Sequence, residues 1–296
     1  MARLLDCRGI ASRYFDWVSR EVAAMKRKPH LATILFRPKQ NPASLQYRDL
    51  ILKDAARLGV SVDGHEAEDE EELLALVRRL NKKTAVTGIM MFYPLCSALR
   101  DEDVMDQVSP LKDVEGLHSV NLGYLIKHKR FLDEAREIKC VVPATAKAVV
   151  KALLSYPEIP VENAFVVVVN NSMRVGKPLG LMLENLGATV LKCYHKTPAP
   201  VLEDAVRKAD ILITAVPDPA FRLDPSWVKD GAAVVDVSYQ GNIDMKALDG
   251  RASFVTASDN RIGSMTRAMT FVNLVYCAKN APLRRASRAP RVAVLG

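Results

Sequence analysis

Residues 164 to 169 read Ala-Phe-Val-Val-Val-Val and run straight into Asn-Asn-Ser-Met-Arg-Val-Gly-Lys-Pro. A β-branched run without polar alternation belongs to a strand covered on both faces, and such strands occur where crossover helices flank a parallel sheet. The chain keeps that rhythm. Helical patterns over Gly176 to Leu186 and Val201 to Lys208 alternate with strand patterns at Ala188 to Leu191, Ile211 to Val216 and Ala232 to Val237. This is the order of a doubly wound, Rossmann-type dinucleotide-binding domain.

The first half alternates in the same way. An amphipathic run from Gly9 to Lys26 precedes a strand at Leu31 to Phe36, a helix over Ser44 to Leu58, a short strand at Val60 to Val62, an acidic helix over Asp69 to Leu80 and a strand at Val86 to Phe92. The pattern predicts a three-layer α/β domain. Between Pro94 and Arg136 the segment LKDVEGLHSVNLGYL, with Gly116, Gly123 and internal charges, reads as functional loops linking the halves. A helix starts at Pro143, and a strongly apolar one from Ser264 to Asn280 can pack back on the first half. At 296 residues two domains are expected: 1–140, joined by 264–280, and 141–263, with a basic, poorly ordered tail over 281–296.

Composition narrows the function classes. Hydrophobic residues at 49% allow a sizeable core. The net charge of +8 is spread along the chain, with its densest patch at Arg284, Arg285, Arg288 and Arg291. Aromatics are only 6%, so handling of anionic small molecules explains the charge better than nucleic-acid binding. Cys7, Cys96, Cys140, Cys193 and Cys277 lack paired spacing, which argues against a zinc site or a disulfide framework. Neither a signal peptide nor a membrane span is evident, and a cytoplasmic protein is expected. His118 and His195 have no second ligand at metal-binding spacing and read as loop or ribose-side groups.

The turn after the Val-rich strand opens onto a helix, whose first N–H groups and dipole suit a pyrophosphate. Candidate cofactor contacts are therefore Asn170, Asn171, Ser172, Arg174, Val175 and Gly176. The turn is not G-x-G-x-x-G, but Asn tolerates left-handed backbone angles. Tyr194 and His195 fall where an adenosine ribose lies, and Val216, Pro217 and Val237 end the later strands. No acid stands between Lys192 and Thr197, which leans toward NADP over NAD. The competing reading is a plain strand-to-helix loop.

Five blocks in register, NPASLQY (Asn41 to Tyr47), GIMMFYPL (Gly88 to Leu95), KDVEGLH (Lys112 to His118), PATAK (Pro143 to Lys147) and NSMRVGKP (Asn171 to Pro178), resemble the methylenetetrahydrofolate dehydrogenase/cyclohydrolase family. The resemblance implies an N-terminal catalytic domain and a C-terminal Rossmann domain with a cleft between them, a folate substrate, an NAD(P) cofactor and a homodimer. It carries the family's Tyr onto Tyr47, as the residue that packs on the folate and orients the reacting centre. It also places Ser44, Phe92, Pro94, Glu115 and Gly263 around the substrate.

Departures from the family pattern bear on the chemistry. Bifunctional members carry a Lys four residues after the Tyr, where this chain has Ile51. Lys53 is displaced about 120° around the helix at roughly 100° per residue. The family's strand-end Gln is Phe92, and the Asp of K-D-V-D-G is Glu115, a longer acceptor for the pterin N–H groups. The pattern is similar to a monofunctional dehydrogenase branch, in which cyclohydrolase activity is weak or absent. Asp259 to Thr266 replaces a Gly-rich loop, and Val237-Ser238-Tyr239 replaces V-G-[IV], so an altered substrate or a catalytically silent relative binding nucleotide or folate is the alternative.

Overall fold

The computed structural model describes residues 1–281 except Cys96 and Asn260; the predicted tail beyond Ala281 lies outside the described residues. The first elements are β1 (Arg3–Leu5), α1 (Cys7–Ala24), β2 (His30–Phe36), α2 (Pro42–Leu58), β3 (Ser61–Ala67), α3 (Glu70–Lys82) and β4 (Gly88–Met91). Then follow α4 (Asp101–Met105), α5 (Ser119–Ile126), β5 (Phe131–Asp133), β6 (Ile138–Lys139), α6 (Ala144–Leu153), β7 (Phe165–Val169), α7 (Gly176–Glu184) and β8 (Thr189–Cys193). The last are α8 (Ala199–Lys208), β9 (Ile211–Thr214), β10 (Ala233–Asp236), β11 (Phe254–Thr256) and α9 (Gly263–Asn280). The chain divides into two compact units, residues 1–18 with 142–271 and residues 19–141 with the chain from 272 onward.

The unit containing β7 holds a six-stranded parallel sheet in the order β1-β11-β10-β9-β7-β8. Helices cover the inner strands, and Val166 to Val168 are fully buried, as the unbroken Val run requires. The expected boundary of a first domain at 1–140 needs correcting, because residues 1–18 belong here. β1 pairs with β11, Arg3 stacks its guanidinium 4.7 Å from the Phe254 ring and pairs with Glu158 at 2.6 Å, and the Asp6 N–H donates to the Tyr156 hydroxyl at 2.7 Å. Three residues are enough for a strand when the edge strand β11 supplies a pairing partner and side chains of the same unit anchor the segment. α9 is shared, its residues to Phe271 falling in this unit and those from Val272 in the other.

The other unit is built on a parallel sheet in the order β3-β2-β4. α2 begins where Asn41 accepts the Ser44 N–H at 3.2 Å and Pro42 occupies the first turn; Gly59, at φ 69°, ends it in the left-handed conformation. Asp69 caps α3 in the same way, accepting from Glu72 N at 2.8 Å. β3 runs to Ala67, well past the predicted Val62, because an edge strand with polar, half-exposed residues shows no apolar run.

Pro94 to Arg136 is more ordered than a linking loop. Within it lie α4, α5 and β5, and Lys112-Asp113 extends the sheet, with Ile89 N donating to Lys112 O at 2.7 Å and a parallel bridge from Ile89 to Asp113. The Asp113 carboxylate, 4% exposed, accepts from Glu115 N, Gly116 N, His118 N and Asn121 Nδ2 at 2.8 to 3.1 Å. That knot fixes the segment from its centre. Among the described residues no helix is long and apolar enough to cross a membrane.

Candidate active site

At the carboxyl end of β7 the turn is organised by one side chain. Asn170 Oδ1 accepts from Ser172 N, Ser172 Oγ and Gly176 N at 2.8 to 2.9 Å, and its Nδ2 donates to Ala215 O at 2.7 Å. Val175 N donates in turn to Ser172 Oγ at 3.1 Å. The expectation that these helix-start N–H groups meet a pyrophosphate therefore needs revision for Ser172, Val175 and Gly176, whose donors are used inside the turn. Gly176 is glycine for a packing reason: a Cβ there would overlap the Asn170 carbonyl. Asn171 and Arg174 are half-buried on this turn, and Lys177 is exposed beside them. What the turn offers an anion is the positive end of α7 together with the cations Arg174 and Lys177.

The neighbouring strand ends are tied by a network that sequence reasoning missed. Asn242 Oδ1 accepts from Thr214 Oγ1 and Val216 N, both at 2.8 Å, and its Nδ2 donates to Val216 O at 3.0 Å. The Asn242 N–H donates to Asp236 Oδ2 at 2.7 Å, while Asp236 Oδ1 accepts from Ser238 N at 2.9 Å and Ser238 Oγ at 2.6 Å. Asp236 is wholly buried. Its cation is Arg261, with Nε 3.3 Å from Oδ2 as a charge contact outside hydrogen-bond alignment, while Nη1 donates to Tyr239 O at 2.8 Å. The two departures noted at Ser238 and Arg261 are thus one construction. Val216 and Val237, half-buried, and Pro217, exposed, sit on the loops it holds, and Val237 N donates to Thr214 O at 2.8 Å. An acid ending an apolar strand at Asp236 was the available signal.

Tyr194 and His195 are exposed just beyond β8, their rings 5.8 Å apart. In sequence the neighbouring cations are Lys192, which pairs with Glu184 at 3.7 Å, and Lys196, and the stretch to Thr197 carries no acid. Parallel strand ends, a helix start and this cationic surround fit an adenine dinucleotide.

In the other unit the substrate candidates gather at the carboxyl end of β4. Tyr47 on α2 meets Phe92 edge-on, ring centres 6.0 Å apart at 82°. Asn41, which caps α2 through Ser44, also donates from Nδ2 to Pro94 O at 3.4 Å, and Glu115 Oε2 accepts from Met91 N at 3.1 Å. Ser44 is buried, Pro94 is exposed and Glu115 is half-buried. Ile51, one turn after Tyr47, is fully buried, whereas Lys53 is exposed. Gly263 belongs to the unit of β7, where it is exposed at the start of α9. His118 proves to be a cap, its Nδ1 accepting from Val120 N at 2.9 Å.

The sequence pattern of the tetrahydrofolate dehydrogenase/cyclohydrolase catalytic domain matches residues 5–115, and that of the NAD(P)-binding domain of the same enzymes matches residues 143–282. The chain is 33% identical over 288 residues to the bifunctional protein FolD of Shouchella clausii, covering 94% of this chain and 98% of that protein. Among solved structures, the 5,10-methylenetetrahydrofolate dehydrogenase of the silkworm Bombyx mori superposes with a TM-score of 0.83 at 29% identity, covering 97% of this chain and 100% of that one. The bifunctional FolD of Campylobacter jejuni gives 0.83 at 30% identity, covering 95% and 99%.

Proposed function

Since the chain belongs to the tetrahydrofolate dehydrogenase/cyclohydrolase family, we propose that it oxidises 5,10-methylenetetrahydrofolate to the 5,10-methenyl cation with NADP+, and that it lacks the cyclohydrolase step. The bridging methylene loses one hydrogen with its electron pair, and the resulting charge is shared by the flanking N5 and N10. Bound nicotinamide supplies the hydride acceptor. Every remaining task falls to the chain: holding the pterin, aligning the methylene carbon and keeping water away from the cation.

Tyr47 carries the pterin-facing role, its ring braced by Phe92 and its hydroxyl orienting the reacting centre. Glu115 accepts from pterin N–H groups, with Ser44 and Pro94 shaping the site. Asn170, Asn171, Ser172, Arg174, Val175 and Gly176 hold the pyrophosphate turn, Tyr194 and His195 flank the ribose, and Val216, Pro217 and Val237 line the nicotinamide side. The absence of an acid between Lys192 and Thr197, with Lys196 among them, supports NADP over NAD. A homodimer and a cytoplasmic location belong to the same reading and rest on the family relationship.

The observation that carries the monofunctional reading is that Ile51, one turn after Tyr47 on α2, and Phe92, packed on the Tyr47 ring, are apolar and 0% and 5% exposed. Hydrolysis of the methenyl cation needs a base that deprotonates an attacking water, and neither residue can do so or tune one. Purified enzyme given methenyltetrahydrofolate should leave its absorbance band decaying at the rate of buffer alone. Accelerated loss of that band would overturn the monofunctional reading while leaving the dehydrogenase intact.

A further inference from the structure

The unit containing β4 has a cavity of about 680 Å3. It lies before the amino end of β4, lined by Val86 and Thr87, whereas the substrate candidates stand after that strand's carboxyl end. Its apolar wall is Ala24, Met25, Val86, Ala278 and Ala281. Around that wall stand Lys26, Arg27, Lys28, Lys82, Lys112 and Lys279, against a single acid, Glu21, which pairs with Lys279 at 2.6 Å.

Most of these cations are held in place. Lys28 Nζ donates to Val22 O and Ala23 O at 2.8 and 3.0 Å, Arg27 Nη2 to Thr84 O at 3.3 Å, and Lys112 Nζ to Leu80 O and Lys83 O at 2.8 and 2.9 Å. Lys112 is only 4% exposed. One explanation is local: α1, α3 and α9 all end here, and cations neutralise helix carboxyl ends. Each end carries about half a negative charge, so three offset about 1.5 charges. Six cations less one acid leave a formal excess of five among the lining residues, about 3.5 once the helix ends are counted.

We propose that this cavity binds an organic phosphate, a dianion with an apolar body. The volume falls in the range of small-molecule sites, the wall accepts a ring or chain, and cations already fixed to carbonyls lose little side-chain freedom when an anion arrives. A dianion matches the remaining charge better than a carboxylate. The site is independent of the folate and dinucleotide assignments.

Isothermal titration of the full chain with phenyl phosphate, inorganic phosphate and phenol tests this. Phenyl phosphate should bind one to one and at least about tenfold more tightly than either fragment. Lys26→Glu with Lys82→Glu, both exposed and outside the catalytic machinery, should weaken it by about tenfold or more, with dehydrogenase activity and thermal midpoint unchanged. Should that reversal unfold the chain, Lys26→Ala with Lys82→Ala should still weaken binding. Absence of saturable binding, equal affinity in the lysine variants, or loss of binding in Arg174→Ala, which would place the anion at the dinucleotide turn, each overturns the proposal.

Discussion

Asp113→Asn exchanges one oxygen for an amino group at the centre of the 112–121 segment, and the structure sets its cost. Oδ1 accepts from Glu115 N and Gly116 N, and Oδ2 from His118 N and Asn121 Nδ2. An asparagine amide, whichever way it turns, keeps one acceptor and aims two donors at the other pair. Two buried N–H groups lose their partner, at about 1–3 kcal/mol each, so the loss is about 2–6 kcal/mol. The opposing effect is relief of a buried charge, since burial pushes the Asp113 carboxyl above its ordinary pKa against the pull of the donors at His118, Asn121 and Gly116. The donors outweigh it, because they stay in place after the exchange and must then face an amino group. Urea unfolding followed by circular dichroism at pH 7 measures the difference. Because Glu115 hangs on this knot, the folate KM should rise as well. A variant as stable as the parent, or more so, would show that charge burial dominates and refute the reasoning.

Three further outcomes follow from single residues. Gly176→Ala should force the turn away from the Asn170 carbonyl, destabilise the chain by about 3 kcal/mol and weaken NADP binding in a fluorescence titration; an unchanged thermal midpoint would contradict the close approach. Arg261→Ala leaves Asp236 buried without its cation, costing about 3–5 kcal/mol and raising the cofactor KM above any change in folate KM; adding Asp236→Asn should recover part of the stability, and no recovery would count against the pair. For His65, burial, aided by Arg79 and Lys83 and opposed by Asp63, holds the imidazole below its ordinary pKa. The fold favours the neutral ring while the unfolded chain takes a proton near pH 6.5, so stability should fall as pH drops from about 7 through the lowered folded-state value. His65→Gln should flatten that slope in denaturant titrations between about pH 7 and 5, and identical slopes would dismiss the assignment.

Residues that act through their neighbours in sequence were legible, and those that act across the fold were not. The Val run of β7 and the amphipathic helices announce themselves by period and composition alone. β1 and β11, three residues each, have no such pattern, because their existence depends on the sheet edge they join. The turn at Asn170 was located correctly, yet its donors were misassigned, since nothing in the string Asn-Asn-Ser shows one amide folding back on three partners. Asp236 and Arg261 stand 25 positions apart, and only the fold joins them into one charge pair. In contrast, the placement of Tyr47 and Ile51 one turn apart on α2 was readable from helical spacing, and that of Phe92 from the strand end.

The most direct measurement is the absorbance change when purified protein meets 5,10-methylenetetrahydrofolate with NADP+ or with NAD+. The reduced-nicotinamide band should grow, faster with NADP+, in step with a methenyl band that then persists, and the rate should fall in Tyr47→Phe. A chain that reduces neither cofactor would contradict the proposed dehydrogenase activity.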